Sequence, residues 1–193
     1  MENLHPKDSL AIIETVINQR KQKYEENGIF LIFWGILVAL AGIGQFLMIT
    51  LNFYPEKSGF VWLFTMVPGF IFTFLWKMKE GIRAKKQQKT EDWSDFLWLV
   101  TGSMAFASMF VVNNSKFITM MIFLPIGIAS LSSALRLKNR LWIFTSLISI
   151  VLAYSTVFFW SGYQPLFMAI IAVLSLLIPG IQLHLAYKKR NNV

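Results

Sequence analysis

The chain has 193 residues, 55% hydrophobic and only 15% charged, with a formal net charge of +8 and no cysteine. The missing thiols exclude disulfides, thiol catalysis, iron–sulfur clusters and cysteine-based zinc sites. Charge content falls well below the about 25% of an average soluble domain, and no basic stretch is paired with a fold able to present it to nucleic acid, so no nucleic-acid partner is expected.

Residues 1–28 are polar and mixed in charge, without the apolar run and small-residue cleavage site of a signal peptide. Within them, 9–27 read as an amphipathic helix. Leu10, Ile13, Ile17 and Tyr24 recur at helical spacing, with Glu14, Asn18, Arg20, Lys21 and Glu25 on the other face. Asp8 or Ser9 can cap its start, and Asn27-Gly28 supplies a stop. Such a stripe needs a cover: the membrane surface, the protein's own bundle, or a cytoplasmic protein partner.

Six apolar runs follow, at about 29–51, 59–76, 96–112, 117–135, 141–160 and 165–187. Each approaches the about 20 apolar residues that cross a bilayer as a helix. The first run is expected to act as an uncleaved insertion signal. The segments between the runs alternate in charge. Segments 1–28, 77–95, 136–140 and 188–193 hold 16 of the 18 Lys and Arg residues, and 52–58, 113–116 and 161–164 hold two. That alternation predicts six transmembrane helices with both ends in the cytoplasm. The fold class expected is therefore an all-α membrane protein. It comprises a cytoplasmic helix segment (1–28), a six-helix domain (29–187) and a basic tail (188–193). The short outside loops predict three antiparallel hairpins: 1 with 2, 3 with 4, and 5 with 6. Basic residues after the second run and Glu91, Asp92 and Asp95 before the third suit the helix dipoles.

Aromatic residues mark both boundaries: Trp76, Trp93, Trp98 and Trp142 inside, and Tyr54, Trp62, Trp160 and Tyr163 outside. Small residues form stripes that allow close packing. These are Gly35, Ala39 and Gly42; Ser103 and Ala107; Ala129 with Ser133; and Ser130 with Ala134. Each even-numbered run carries one proline with a glycine close behind, at Pro68-Gly69, Pro125-Ile126-Gly127 and Pro179-Gly180. Successive prolines are 57 and 54 residues apart, as if one hairpin unit were used three times. A proline frees a carbonyl one turn earlier, which in lipid must find a new partner or line a wet cavity.

No Asp, Glu, Lys or Arg lies inside a run, which argues against a transporter built on a buried ionisable relay. Neutral sodium sites made of hydroxyls and carbonyls stay open. The two histidines, His5 and His184, form no metal-binding pair, and no phosphate loop, nucleophile elbow or carboxylate pair is visible. No catalytic residue, metal or cofactor is expected. Gln45 is expected to hydrogen-bond to a neighbouring helix and glue the bundle, and the prolines to shape its packing; if a pocket exists, its candidate polar lining is Gln45 together with the carbonyls freed near Pro68, Pro125 and Pro179. The candidate partner or membrane face is Leu10, Ile13, Ile17 and Tyr24.

The turn Glu26-Asn27-Gly28 and the following Trp34-Gly35, after an amphipathic helix, resemble the start of a group of small uncharacterised bacterial integral membrane proteins. The resemblance covers 9–46 and implies a bacterial inner-membrane setting. It implies no activity and no site residues. The expected function is that of a multi-pass, non-enzymatic accessory, sensory or assembly component. The alternative is a small transporter or channel for a neutral or lipid-like molecule. The bilayer is the expected partner, and a homo-oligomer stays open.

Overall fold

The computed structural model describes residues 28–86, 93–111 and 115–191. The expected amphipathic helix 9–27, with Leu10, Ile13, Ile17 and Tyr24, lies outside them. The described residues form helices and turns and no strand. In chain order the helices are α1 (Gly28–Thr50), α2 (Phe60–Lys86), α3 (Trp93–Val111), α4 (Ser115–Arg136), α5 (Arg140–Ser155) and α6. The last is built of an α-helical stretch Gln164–Ala172, a π-helical stretch Val173–Leu177 and an α-helical stretch Ile178–Asn191. Five segments are long and apolar enough to cross a membrane: Gly28–Thr50, Pro55–Trp76, Phe117–Arg136, Arg140–Phe158 and Ser161–Lys189. The apolar part of α3, Phe96–Ser108, is shorter.

One boundary follows expectation and one departs from it. The second apolar segment ends at Trp76, as expected, and α2 continues beyond it to Lys86. Its extra turns carry the basic residues that a helix C-terminus favours. The fifth run was expected to reach residue 160, yet α5 ends at Ser155 and tightens into a 3-10 turn at Thr156–Phe158.

Backbone chemistry sets the sharp turns. At the end of α4, Asn139 N–H bonds to Ala134 O at 3.1 Å and Lys138 N–H to Leu135 O at 3.1 Å, with Lys138 at a left-handed φ of 53°. This is the paired-bond stop that usually employs glycine. Asn139 then caps α5, its side chain accepting from Trp142 N–H at 3.2 Å. The end of α1 repeats the device. Phe53 N–H reaches Met48 O, Asn52 N–H reaches Ile49 O, and Asn52 is left-handed.

The core draws on every helix. Val38 and Ala41 of α1 meet Met66 of α2, Ala105 of α3, Ile122 and Phe123 of α4, Ala153 of α5, and Met168, Ile171 and Ala172 of α6. A second cluster gathers Ala134, Trp142 and Leu183. Each expected hairpin pair is in contact, but the most extensive packing joins α4 to α5 and α1 to α6. The first follows from the three-residue turn just described. The second follows from glycine, and it is antiparallel. A Cβ on Gly28 would stand 2.9 Å from Gly180 O and His184 N, and one on Gly35 would stand 2.7 Å from Leu177 N. A Cβ on Gly42 would collide with Pro165 O. The stripe expected on span 1 thus packs on α6 and gains Gly28, a residue read from sequence only as a helix stop. The stripe expected on α3 does not pack. Ser103 and Ala107 are exposed, and it is Thr101 and Ala105 that are buried.

The candidate site: a buried polar knot on three helices

The polar side chains of the interior are arranged by the helix junctions. Tryptophans supply much of the pattern. On α1 and α2, Trp34 Nε1 donates to Thr73 Oγ1 at 3.1 Å, and Trp62 Nε1 donates to Gln45 Oε1 at 2.6 Å. Trp98 Nε1 on α3 donates to Ser133 Oγ of α4 at 3.2 Å. Trp142 on α5, 2% exposed, donates to Ser130 Oγ of α4 at 2.8 Å. An indole is a donor only, so each of these pairs has one direction. Trp142 was expected in the inner aromatic belt. It is instead buried, because the short α4–α5 turn folds its ring back onto α4.

Ser130 is the centre of the knot. Its oxygen lies 2.9 Å from Ser146 Oγ of α5 and 2.9 Å from the Ser175 carbonyl of α6. Ser130, Ser146 and Ser175 are fully buried. A carbonyl can only accept, so the Ser130 proton goes to Ser175 O. Ser146 must then donate to Ser130, which also accepts from Trp142. All the polar capacity of Ser130 is used. Ser175 Oγ turns away and donates to Ile171 O at 2.7 Å. The knot is no cation site: the indole N–H points a donor at the oxygen that would have to coordinate.

The Ser175 carbonyl is open to Ser130 for a reason visible in the chain. It lies four residues before Pro179, which has no N–H to return to it. The preceding turn is already loosened, since Ile178 N–H bonds to Val173 O, five residues back. One freed carbonyl therefore finds a partner in a neighbouring helix, as a buried polar group in apolar surroundings requires.

The remaining candidate residues are dispersed. Gln45 is half-buried and ties α1 to α2 through Trp62. Pro68 is exposed on α2, Pro125 is half-buried on α4, and Pro179 is fully buried on α6. Their surroundings differ, and Gln45 touches none of the knot's residues by a hydrogen bond. A groove of about 160 Å³ between α1 and α2 is lined by Phe33, Ile36, Leu37, Leu40 and Thr65. The first four of these are apolar, and Thr65 Oγ1 is spent on Val61 O at 2.8 Å. At the end of the bundle that holds the α4–α5 turn, Asn139 Nδ2 donates to Gln182 Oε1 at 3.3 Å, fastening that turn to α6. His184 follows two residues later, with Nδ1 buried and without a hydrogen-bond partner. Among the described residues no three His, Asp or Glu side chains gather to hold a metal.

Sequence reasoning singled out Pro179 as a helix bend, Ser130 with Ala134 as a small-residue stripe and Trp142 as a belt residue, without joining them, and passed over Ser146 and Ser175. The signal that could have joined them is a proline in an apolar helix with a serine four residues before it.

This is the architecture of a helical bundle whose apolar segments suit a membrane by length and composition. No family model matches the chain, and neither a curated protein nor a solved structure matches it.

Proposed function

We propose that the chain is a six-helix integral membrane protein of a bacterial inner membrane, with both termini in the cytoplasm and its helices connected as three hairpins, acting as a non-enzymatic accessory, sensory or assembly component. The observation that carries this reading is the interior. Phe123, Ile171, Met66 and Met168 occupy the centre, and Ser130, Ser146 and Trp142 spend their polar groups on one another and on the Ser175 carbonyl. An interior of this kind favours a scaffold over a conduit. Function then falls to the surfaces, and residues 9–27 are the segment whose apolar stripe suits docking to a cytoplasmic partner or to the membrane.

The orientation is supported by the basic-residue split of 16 to two. Reporter fusions after Glu56, Asn114 and Tyr163 should read as external, and those after Lys85, Lys138 and Val193 as cytoplasmic. An odd number of crossings overturns the topology. The choice between scaffold and conduit is tested with single cysteines at Val67, Leu124 and Ile178, each beside a proline, in a chain that has no cysteine of its own. In folded protein in lipid, membrane-impermeant thiol reagents should label fewer than two of the three. Labelling of two or more replaces the scaffold with a transporter or channel for a neutral or lipid-like molecule.

A further inference from the structure

The seam between α1 and α6 contains a mismatch of one residue. Gly28 and Gly42 are fourteen residues apart, two heptads of α1. The α6 residues that face them, Gly180 and Pro165, are fifteen apart, and so are His184 and Ala169. An unbroken α-helix advances about 100° per residue, so the surplus residue would turn Gly180 away from Gly28. The π-helical stretch Val173–Leu177 absorbs that residue. A π turn is rare and occurs mostly as a single inserted residue, frequently where a helix has a function. Here Pro179 follows at once, and the two together weaken the helix's own hold on its carbonyls. What holds this turn from outside is the hydrogen bond from Ser130 Oγ to Ser175 O.

We propose that α6 is a two-register helix and that the Ser130 hydroxyl is the latch of the observed register. With the latch closed, the π turn stays at Val173–Leu177 and Gly180 lies on Gly28. With the latch open, the extra residue migrates toward the end of the helix. The turns it passes become α-helical and rotate by about 100°. The inner half, Ile178–Asn191, leaves the glycine seam and carries Lys188 and Lys189 with it. The outer half, fixed to Gly42 at Pro165 and Ala169, stays in place. The Asn139–Gln182 bond is the second contact that this rotation breaks, and at 3.3 Å it is the longer of the two. Ser130 acts here as a positioning residue. The inference stands independently of the accessory role.

The test is a distance measurement between spin labels in lipid nanodiscs. Cysteines replace the exposed Ile29 and Leu185 at the inner end, and Leu47 and Ile170 at the outer end as a reference pair. The native sequence should give one narrow distribution at each pair. Ser130→Ala should add a second population at the inner pair, displaced by on the order of 8 Å for a side chain carried round a helix of this diameter, and leave the outer pair unchanged. Ser146→Ala, which keeps the Ser130–Ser175 bond, should leave both pairs native. In Ser130→Ala combined with Pro179→Ala, the new backbone N–H serves the Ser175 carbonyl, so the inner pair should return to a single population. A native distribution in Ser130→Ala overturns the proposal. So does equal splitting in Ser146→Ala, or failure of Pro179→Ala to restore a single population. If Ser130→Ala does not fold, the double variant decides: a folded protein with one population supports the latch, and a second failure to fold overturns it.

Discussion

Lys138 ends α4 in a conformation that costs an L-residue with a side chain roughly 1–2 kcal/mol and glycine almost nothing. Its side chain is exposed, so little packing is lost on removing it. Lys138→Gly is therefore expected to raise stability by about 1 kcal/mol, measured as a shift in the unfolding midpoint in mixed micelles. A loss of stability would mean that the charge, and not the backbone, governs the turn. The Trp62–Gln45 pair offers a second residue-scale test. Hydrogen bonds between membrane helices average about 0.6 kcal/mol and reach about 1.7 kcal/mol. The Trp62–Gln45 bond is expected to fall within that range. A double-mutant cycle with Trp62→Phe and Gln45→Leu measures it, and a coupling near zero shows that the bond is not made. Gln45 was legible in the sequence as glue for a neighbouring helix, because a neutral amide among apolar residues needs a partner. Which partner was not legible, since Trp62 read equally well as a boundary residue.

At the scale of elements, glycines that look alike in sequence divide into two kinds. Gly35 faces the α6 backbone, whereas Gly102 on α3 has open space where a Cβ would stand. Gly35→Ala should destabilise the protein through the forced separation of α1 and α6. Gly102→Ala should be neutral, or stabilise by up to about 1 kcal/mol through helix propensity alone. Equal effects at both positions, read from unfolding midpoints, would remove the glycine seam as an explanation for the α1–α6 contact. The helices themselves followed from hydrophobic run length, and their existence needed no tertiary knowledge. The pairing did not follow. Loop length suggested hairpins, but the broadest contacts depend on backbone approach at Gly28, Gly35, Gly42 and Gly180, which periodicity within one helix cannot show. The π turn was equally invisible. It answers a one-residue mismatch between two helices, so neither sequence segment carries it alone.

For the whole molecule, cohesion is uneven. Only 17% of the apolar window of α2 is buried, against 50% for α6. α2 is held mainly by α1, through the two indole bonds and the ring contacts Phe33–Phe72 at 4.7 Å and Trp34–Phe70 at 5.2 Å. Its link to α3 includes Phe70–Phe106 at 5.7 Å, and among the described residues its one buried apolar side chain in the core is Met66. In contrast, α4, α5 and α6 share the fully satisfied knot. Networks of that kind rigidify a core, and regions with few buried contacts open first. Graded addition of a denaturing detergent should therefore release α2 while α4–α6 remain assembled. With single cysteines at Met66 and at Ala134, both buried in the native bundle, thiol labelling at residue 66 should begin at a clearly lower detergent fraction than at residue 134. Ser130→Ala should bring the second transition down toward the first and leave the first where it was. Simultaneous labelling of both sites in the native sequence would show one cooperative unit, and would remove the division between a peripheral α2 and a knotted remainder.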